Sequence, residues 1–178
     1  MRVRPRLSLK ARAIGWLAQR EHSRNELRRK LLRRARADAA ADALAGRVDE
    51  SEAGAASGEG EAGAAEIEPA IDQLLDWLEA HDYLSQSRFA AARVHVRAGR
   101  QGAERIRQEL ARHGVALDAE ALRGLRESEL ARAQAVWQRK FGSTAADAAG
   151  RARQARFLAG RGFSGEVIRR VVKGLAEG

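Results

Sequence analysis

Cysteine is absent from the 178 residues, so neither a disulfide framework nor a thiolate metal site is available, and the chain suits a reducing compartment. Prolines number two and aromatic residues make up only 4%, which leaves Ala, Leu and Val to fill the core. With so few strand formers and helix breakers, helix is expected nearly everywhere. Long apolar runs are missing as well. The opening MRVRPRLSLKARAIGWLAQR is basic but never offers the continuous apolar run of a secretory signal, and nothing approaches a membrane span. These absences lead us to expect a soluble, cytoplasmic, all-α protein that makes no use of a membrane.

What the chain does have is charge and small residues. An apolar fraction of 44% beside 32% charged residues is the balance of a globular protein, in one domain or a small set of repeats. Residues 1–48 hold 14 Lys/Arg against 4 acids, residues 49–82 hold none against 11, and residues 83–178 hold 19 against 9. The net +9 therefore conceals two strongly basic parts flanking an acidic one. Basic parts of this kind attract nucleic acid, acidic proteins or anionic surfaces. Arg outnumbers Lys 29 to 4, a bias that a GC-rich genome also produces without selection for binding.

Residues 48–66, VDESEAGAASGEGEAGAAE, carry one apolar residue larger than Ala. Such a segment cannot bury enough surface to offset its chain entropy, so a disordered loop is expected, as part of an insertion over about residues 36–66.

Three stretches share one helical pattern: ELRRKLLRRA with Leu27 and Leu31, ERIRQELARHG with Ile106 and Leu110, and RQARFLAGRG with Ala155 and Leu158. Superposing Leu110 on Leu158, an offset of 48, also superposes Gly114 on Gly162 and Val115 on Phe163, while Ala35 holds the glycine position in the first copy. A shorter helix follows each: PAIDQLLDWL, AEALRGL and EVIRRVV, with the pairs Ile71/Leu74, Leu122/Leu125 and Ile168/Val171. A further helix precedes each, carrying Leu9, Ala13, Ile14 and Leu17, then Phe89 and Val96, then Leu130, Trp137 and Phe141. The chain thus reads as three three-helix units, residues 1–84, 85–126 and 127–178, and repeats of this kind stack into an elongated array. The spacing from Leu31 to Leu110 exceeds the next interval by about 31 residues, which matches the insertion. Ser23 with Glu26, Thr144 with Asp147, and Ser85, Asp118 and Ser164 are candidate helix starts. Pro69 suits a first helical position, and Gly114 and Gly162 suit helix ends.

Catalytic signatures fail one by one. GRGFSG, with Gly160, Gly162 and Gly165, matches GxGxxG but follows a helix near the chain end, without the strand and the later acid that a dinucleotide site requires. His22, His81, His95 and His113 show no i, i+4 pairing of the kind a zinc site uses. No phosphate loop or nucleophile elbow is present, so no catalytic residue, cofactor or metal is expected.

HSRNELRRKLLRR, residues 22–34, concentrates seven basic side chains among leucines that ask for burial. The arrangement resembles the RecX family, regulators of the bacterial recombinase RecA. The resemblance rests on ARAIGWLAQREHSRNELRRKLL, on DYLSQSRFAAARV, on RIRQELARHGV, and on KFG followed by RARQARFLAGRGFSGEVIRRVV, and it spans nearly the whole chain outside the insertion. Ser85 and Gln86 stand where that family usually has acids, and Ala35 where it usually has Gly before an aromatic. The resemblance implies an all-α, elongated and curved array of three tandem three-helix repeats. It implies a non-enzymatic inhibitor that binds RecA–DNA filaments and suppresses ATP hydrolysis, strand exchange and filament growth, within DNA repair, homologous recombination and the SOS response. RecA is then the expected partner, single- or double-stranded DNA a weak one without sequence preference, and a monomer the expected state. Leu27 and Leu31 would build the core, while Arg28, Arg29, Arg33 and Arg34, with Arg151, Arg153, Arg156 and Arg161 of the last unit, are the candidate RecA or DNA interface. The alternatives are a stand-alone DNA-binding protein and a helical-repeat adaptor for another acidic protein.

Overall fold

The computed structural model describes residues 7–49 and 59–173, with side chains over residues 7–44 and 66–173. Among the described residues there are nine α-helices and no strand: α1 Leu9–Leu17, α2 Arg24–Asp49, α3 Glu59–Ala80, α4 Gln86–Ala98, α5 Ala103–Arg112, α6 Ala119–Glu127, α7 Glu129–Phe141, α8 Ala148–Ala159 and α9 Gly165–Val172. They fall into two compact units, Met1–Gln86 and Ser87–Gly178.

In the first unit, Ser23 accepts a hydrogen bond from the Glu26 amide at 3.1 Å and starts α2. Leu27, Leu31 and Ala35, four residues apart, then form one stripe and are all buried, against Ala13 of α1 and Ile71, Leu75 and Leu78 of α3. Each leucine so buried stabilises the unit by about 1.5–3 kcal/mol. Ser8 caps α1, its hydroxyl accepting from the Ala11 amide at 3.2 Å.

Two expectations are corrected here. Residues 36–49 and 59–66, assigned to a loop-like insertion, continue α2 and α3; residues 50–58 lie outside the described residues. Low hydrophobicity hid the helix, yet most of ARADAAADALA is Ala, the strongest helix former, and Arg34 pairs with Asp38 one turn on at 2.7 Å. Pro69 lies inside α3 rather than at its first position, because that helix starts ten residues earlier, at Glu59.

In the second unit, the 48-residue correspondence is physical. Gly114 and Gly162 both adopt left-handed backbone, with φ of 72° and 78°. The amides of Val115 and Phe163 donate back to the carbonyls of Leu110 and Leu158 at 3.0 and 3.3 Å, ending α5 and α8 in the same way. Leu110, Val115, Leu158 and Phe163 are all buried. Ala35 has no such role, since α2 runs straight through it. Phe89, Ile106, Leu110 and Leu125 form one cluster, and Ala133, Val136, Leu158, Phe163 and Val171 another. Val96 is 64% exposed, because the buried face of α4 runs through Phe89, Ala90, Val94 and Ala98. Asp118, Asp147 and Ser164 cap α6, α8 and α9; Asp147, rather than Thr144, is the cap of α8.

The two clusters of the second unit are bolted together by polar groups. The Gly102 amide donates to the Arg161 carbonyl at 2.9 Å, in so close an approach that a Cβ on Gly102 would sit 2.1 Å from the Gly162 oxygen. Glu129, only 4% exposed, accepts the Ala103 amide at 2.9 Å and so caps α5 from α7. Arg132 donates to the carbonyls of Ala98, Gln101 and Leu125 at 3.0, 2.6 and 2.7 Å, and burial lowers its pKa from the ordinary guanidinium value. Three carbonyl dipoles hold that charge in place.

Candidate interaction surface

The arginines of α2 divide into two faces that the linear sequence does not separate. Arg24 and Arg28, one turn apart, turn toward α3. Arg24 reaches Asp76 and Glu79, both at 2.6 Å, while Arg28 grips Asp72 through two parallel N–H···O bonds at 2.7 and 3.0 Å and adds Glu68 at 3.1 Å. Arg36 joins the same Glu68 at 3.0 Å. The hydrogen bond to Asp72 raises the Arg28 pKa above its ordinary value, and the same bond lowers that of Asp72. The acidic middle of the chain thus spends Glu68, Asp72, Asp76 and Glu79 on neutralising its own first helix pair. Each of these half-exposed pairs is weak alone, but they interlock along one seam.

Turned away from that seam, Arg29 and Arg33 are exposed. With Lys30, Leu32, Arg36 and Glu26 they line an open groove of about 510 Å³. Arg29 donates to the Asn25 carbonyl at 3.2 Å, and among the described residues neither Arg29 nor Arg33 pairs with a carboxylate. Lys30 places its ammonium 4.3 Å from the Trp16 ring centre. Of the four residues singled out on this helix, Arg28 and Arg34 are therefore engaged within the fold, by Asp72 and by Asp38, while Arg29 and Arg33 are presented outward.

The last unit sorts its arginines likewise. Arg151 donates to the carbonyls of Ala145 and Ala146 and ties down the loop before α8, with help from the buried Gln154, whose amide donates to the Ser143 carbonyl at 2.8 Å. Arg153 and Arg156 are exposed on α8. Arg161 lays its guanidinium 3.7 Å from the Phe157 ring centre. Three basic residues that the sequence reading missed stand with Arg161 around an open cleft of about 280 Å³: Arg100, Arg139 and Lys140, with Val136 and Phe157. Only tertiary structure could reveal them, since Arg100 and Arg161 are 61 positions apart.

The chemistry on offer is recognition of anions. Among the described residues no group of three His, Asp or Glu is placed to hold a metal ion, and no helix is long and apolar enough to cross a membrane. What is presented instead is sets of guanidinium groups on rigid helices, suited to phosphates or carboxylates.

Comparison with known proteins accords with this picture. Residues 85–119 match the family model of the second three-helix domain of RecX, and residues 127–172 that of its third three-helix domain. The chain is 46% identical over 170 residues to the regulatory protein RecX of Ralstonia nicotianae, covering 94% of this chain and 88% of that one. It is 44% identical over 172 residues to the regulatory protein RecX of Leptothrix cholodnii, covering 96% and 90%, and 37% identical over 174 residues to that of Pseudomonas entomophila, covering 94% and 92%.

Proposed function

The chain belongs to the RecX family of regulatory proteins, and from that premise we propose that it is a non-enzymatic inhibitor of RecA that binds RecA–DNA filaments and suppresses ATP hydrolysis, strand exchange and filament growth. The observation that carries the reading is the sorting of arginines. Where acids are at hand the fold consumes its cations internally, as along the α2–α3 seam, yet Arg29, Arg33, Arg153 and Arg156 are left exposed on two separate helices. A nucleoprotein filament offers what such faces fit: phosphates and protein carboxylates repeated along one polymer. Contacts that are each modest then act together through effective concentration.

In this reading the seam partners act as structure and the outward residues as contacts. Arg28 and Arg34 hold α2 in place, and Arg151 holds the loop before α8. Binding to DNA by itself is electrostatic, weak and indifferent to sequence, and the protein acts as a monomer in the cytoplasm.

The test compares binding to bare DNA with binding to RecA-coated DNA, together with inhibition of RecA's DNA-dependent ATPase. Tighter binding to the coated strand, with inhibition that weakens in Arg29→Gln/Arg33→Gln, is expected. Equal affinity for bare and coated DNA would instead indicate a DNA-binding protein acting alone. Failure to bind either would leave an adaptor for a different acidic protein.

A further inference from the structure

Four cations converge on the cleft of about 280 Å³ in the second unit: Arg100 from the α4–α5 loop, Arg139 and Lys140 from the last turn of α7, and Arg161 from the α8–α9 loop. Among the described residues none of the four meets a carboxylate. Elsewhere in this unit acids are supplied to arginines, as Glu109 is to Arg93 and Arg97 at 3.6 and 3.0 Å. Like charges gathered without a counter-charge repel one another, and an anion in their midst offsets that repulsion.

The cleft is also braced. The hydrogen bond from the Gly102 amide to the Arg161 carbonyl joins the two loops that carry Arg100 and Arg161. Arg132, one element with Arg139 and Lys140, fastens the carbonyls of Ala98 and Gln101 on either side of Arg100. Cations held on one frame in this way lose little freedom when a ligand arrives.

The geometry points to a binding site for single-stranded nucleic acid, with phosphodiester groups on Arg100, Arg139 and Lys140 and a base against the stacked Arg161 and Phe157. Phosphates spaced closely along one strand supply a density of negative charge that suits four cations around so small a space. The guanidinium lying over the Phe157 ring gives a flat plane of the kind on which any unpaired base stacks, whereas duplex bases are held in their own stack. An acidic peptide would satisfy the charges but leave that plane unused. The inference rests on the filament reading for its setting, since a filament on DNA is what would bring a strand to this cleft.

Fluorescence anisotropy on the full chain tests it, with a labelled oligothymidylate, an abasic strand of the same length and polyglutamate as probes. Arg139→Gln/Lys140→Gln is compared with Arg123→Gln/Arg126→Gln, which removes the same charge from α6. At low salt the cleft variant is expected to lose about tenfold in affinity for oligothymidylate, and its salt slope to fall by about 1.4, for two phosphates at about 0.7 each. The α6 variant should lose much less, and the abasic strand should bind the native chain more weakly than oligothymidylate. Equal losses in the two variants would reduce the effect to the overall field and overturn the site. Polyglutamate bound as tightly as the oligonucleotide would overturn it too, in favour of an acidic peptide. RecA ATPase inhibition by the same variants keeps the two readings apart. A cleft variant that binds oligothymidylate normally but no longer inhibits RecA sinks the cleft and leaves the regulatory reading intact, while one that loses the strand yet still inhibits RecA upholds the cleft and counts against its part in regulation.

Discussion

Adding one methyl group at Gly102 should damage the second unit more than most changes of that size. The new Cβ would lie 2.1 Å from the Gly162 oxygen, 2.3 Å from the Gly162 carbonyl carbon and 2.3 Å from the Phe163 nitrogen. All three are backbone atoms, so no side chain can rotate away. Gly162, held at φ 78°, is packed closely on the same start of α5, where a Cβ of its own would lie 2.5 Å from the Arg105 Cβ, so the two backbones can only separate together. Overpacking of this sort costs about 1–3 kcal/mol. Pushing the strands of chain apart also breaks the 2.9 Å hydrogen bond from Gly102 to Arg161, worth roughly 0.5–1.5 kcal/mol. Gly102→Ala should therefore destabilise the unit by about 1.5–4.5 kcal/mol, and for a urea slope of about 1.5 kcal/mol/M its midpoint should fall by roughly 1–3 M. The same substitution at Gly124 is the internal control. Gly124 sits inside α6 with nothing within 4 Å of the added Cβ, so Gly124→Ala should gain about 0.5–1 kcal/mol from reduced chain entropy. Urea unfolding followed by circular dichroism, with hydrogen exchange of the α5 and α7 amides to locate the effect, reads both. A Gly102→Ala chain as stable as the native one would refute the close approach of the two clusters and with it the bracing of the Arg100 loop.

Leu158→Ala should lower stability by about 2–5 kcal/mol in thermal or urea unfolding, as for truncation of a fully buried leucine, while Phe163→Ala, 5% exposed, should cost about 3–5 kcal/mol. His22 gives the first unit a pH dependence. Its ring is 1% exposed, and burial, with the nearby Arg20 and Lys30 charges adding to it, lowers its pKa despite the Glu26 carboxylate 3.3 Å from Nδ1. The unfolded chain then binds the proton more readily, so stability is complete above about pH 6.5 and declines as pH falls from there toward the lowered folded value; a urea midpoint flat across this range would contradict that sign. Asp72 adds a second loss at lower pH, since its hydrogen bond from Arg28 holds its pKa below the usual carboxylate value and the stability it gives disappears as pH drops below about 3.9. Arg28→Gln should reduce the urea midpoint of the first unit, whereas Arg29→Gln/Arg33→Gln should leave it unchanged and reduce RecA inhibition; the opposite assignment of the two effects would reverse the faces of α2.

How far the sequence carries the argument depends on the range over which each signal acts. Leu27, Leu31, Leu110 and Leu158 declare themselves because helical periodicity is local, and all four are buried. Gly114 and Gly162 do so because a left-handed residue is a local demand that few side chains meet. The helical run over residues 36–49 was hidden by a different weighting: low hydrophobicity argues against a core, not against a helix, and the many Ala residues with Arg and Leu in that segment favour helix without needing a core. The division of the arginines could not be read at all. Arg28 and Arg29 are neighbours in sequence, but one hundred degrees of helical rotation sends Arg28 toward Asp72 and Arg29 away from it. The partner that decides the matter, Asp72, lies 44 positions on. The cleft follows the same logic with the sign reversed. Arg100 and Arg161 are far apart in sequence, and Gly102 and Gly162 bring their two loops into contact beside Arg139 and Lys140 of α7; the absence of side chains at those two glycines is what makes the contact possible. Replacing either glycine should therefore disturb anion binding at the cleft through the position of Arg161, which ties the stability test at Gly102 to the binding test there.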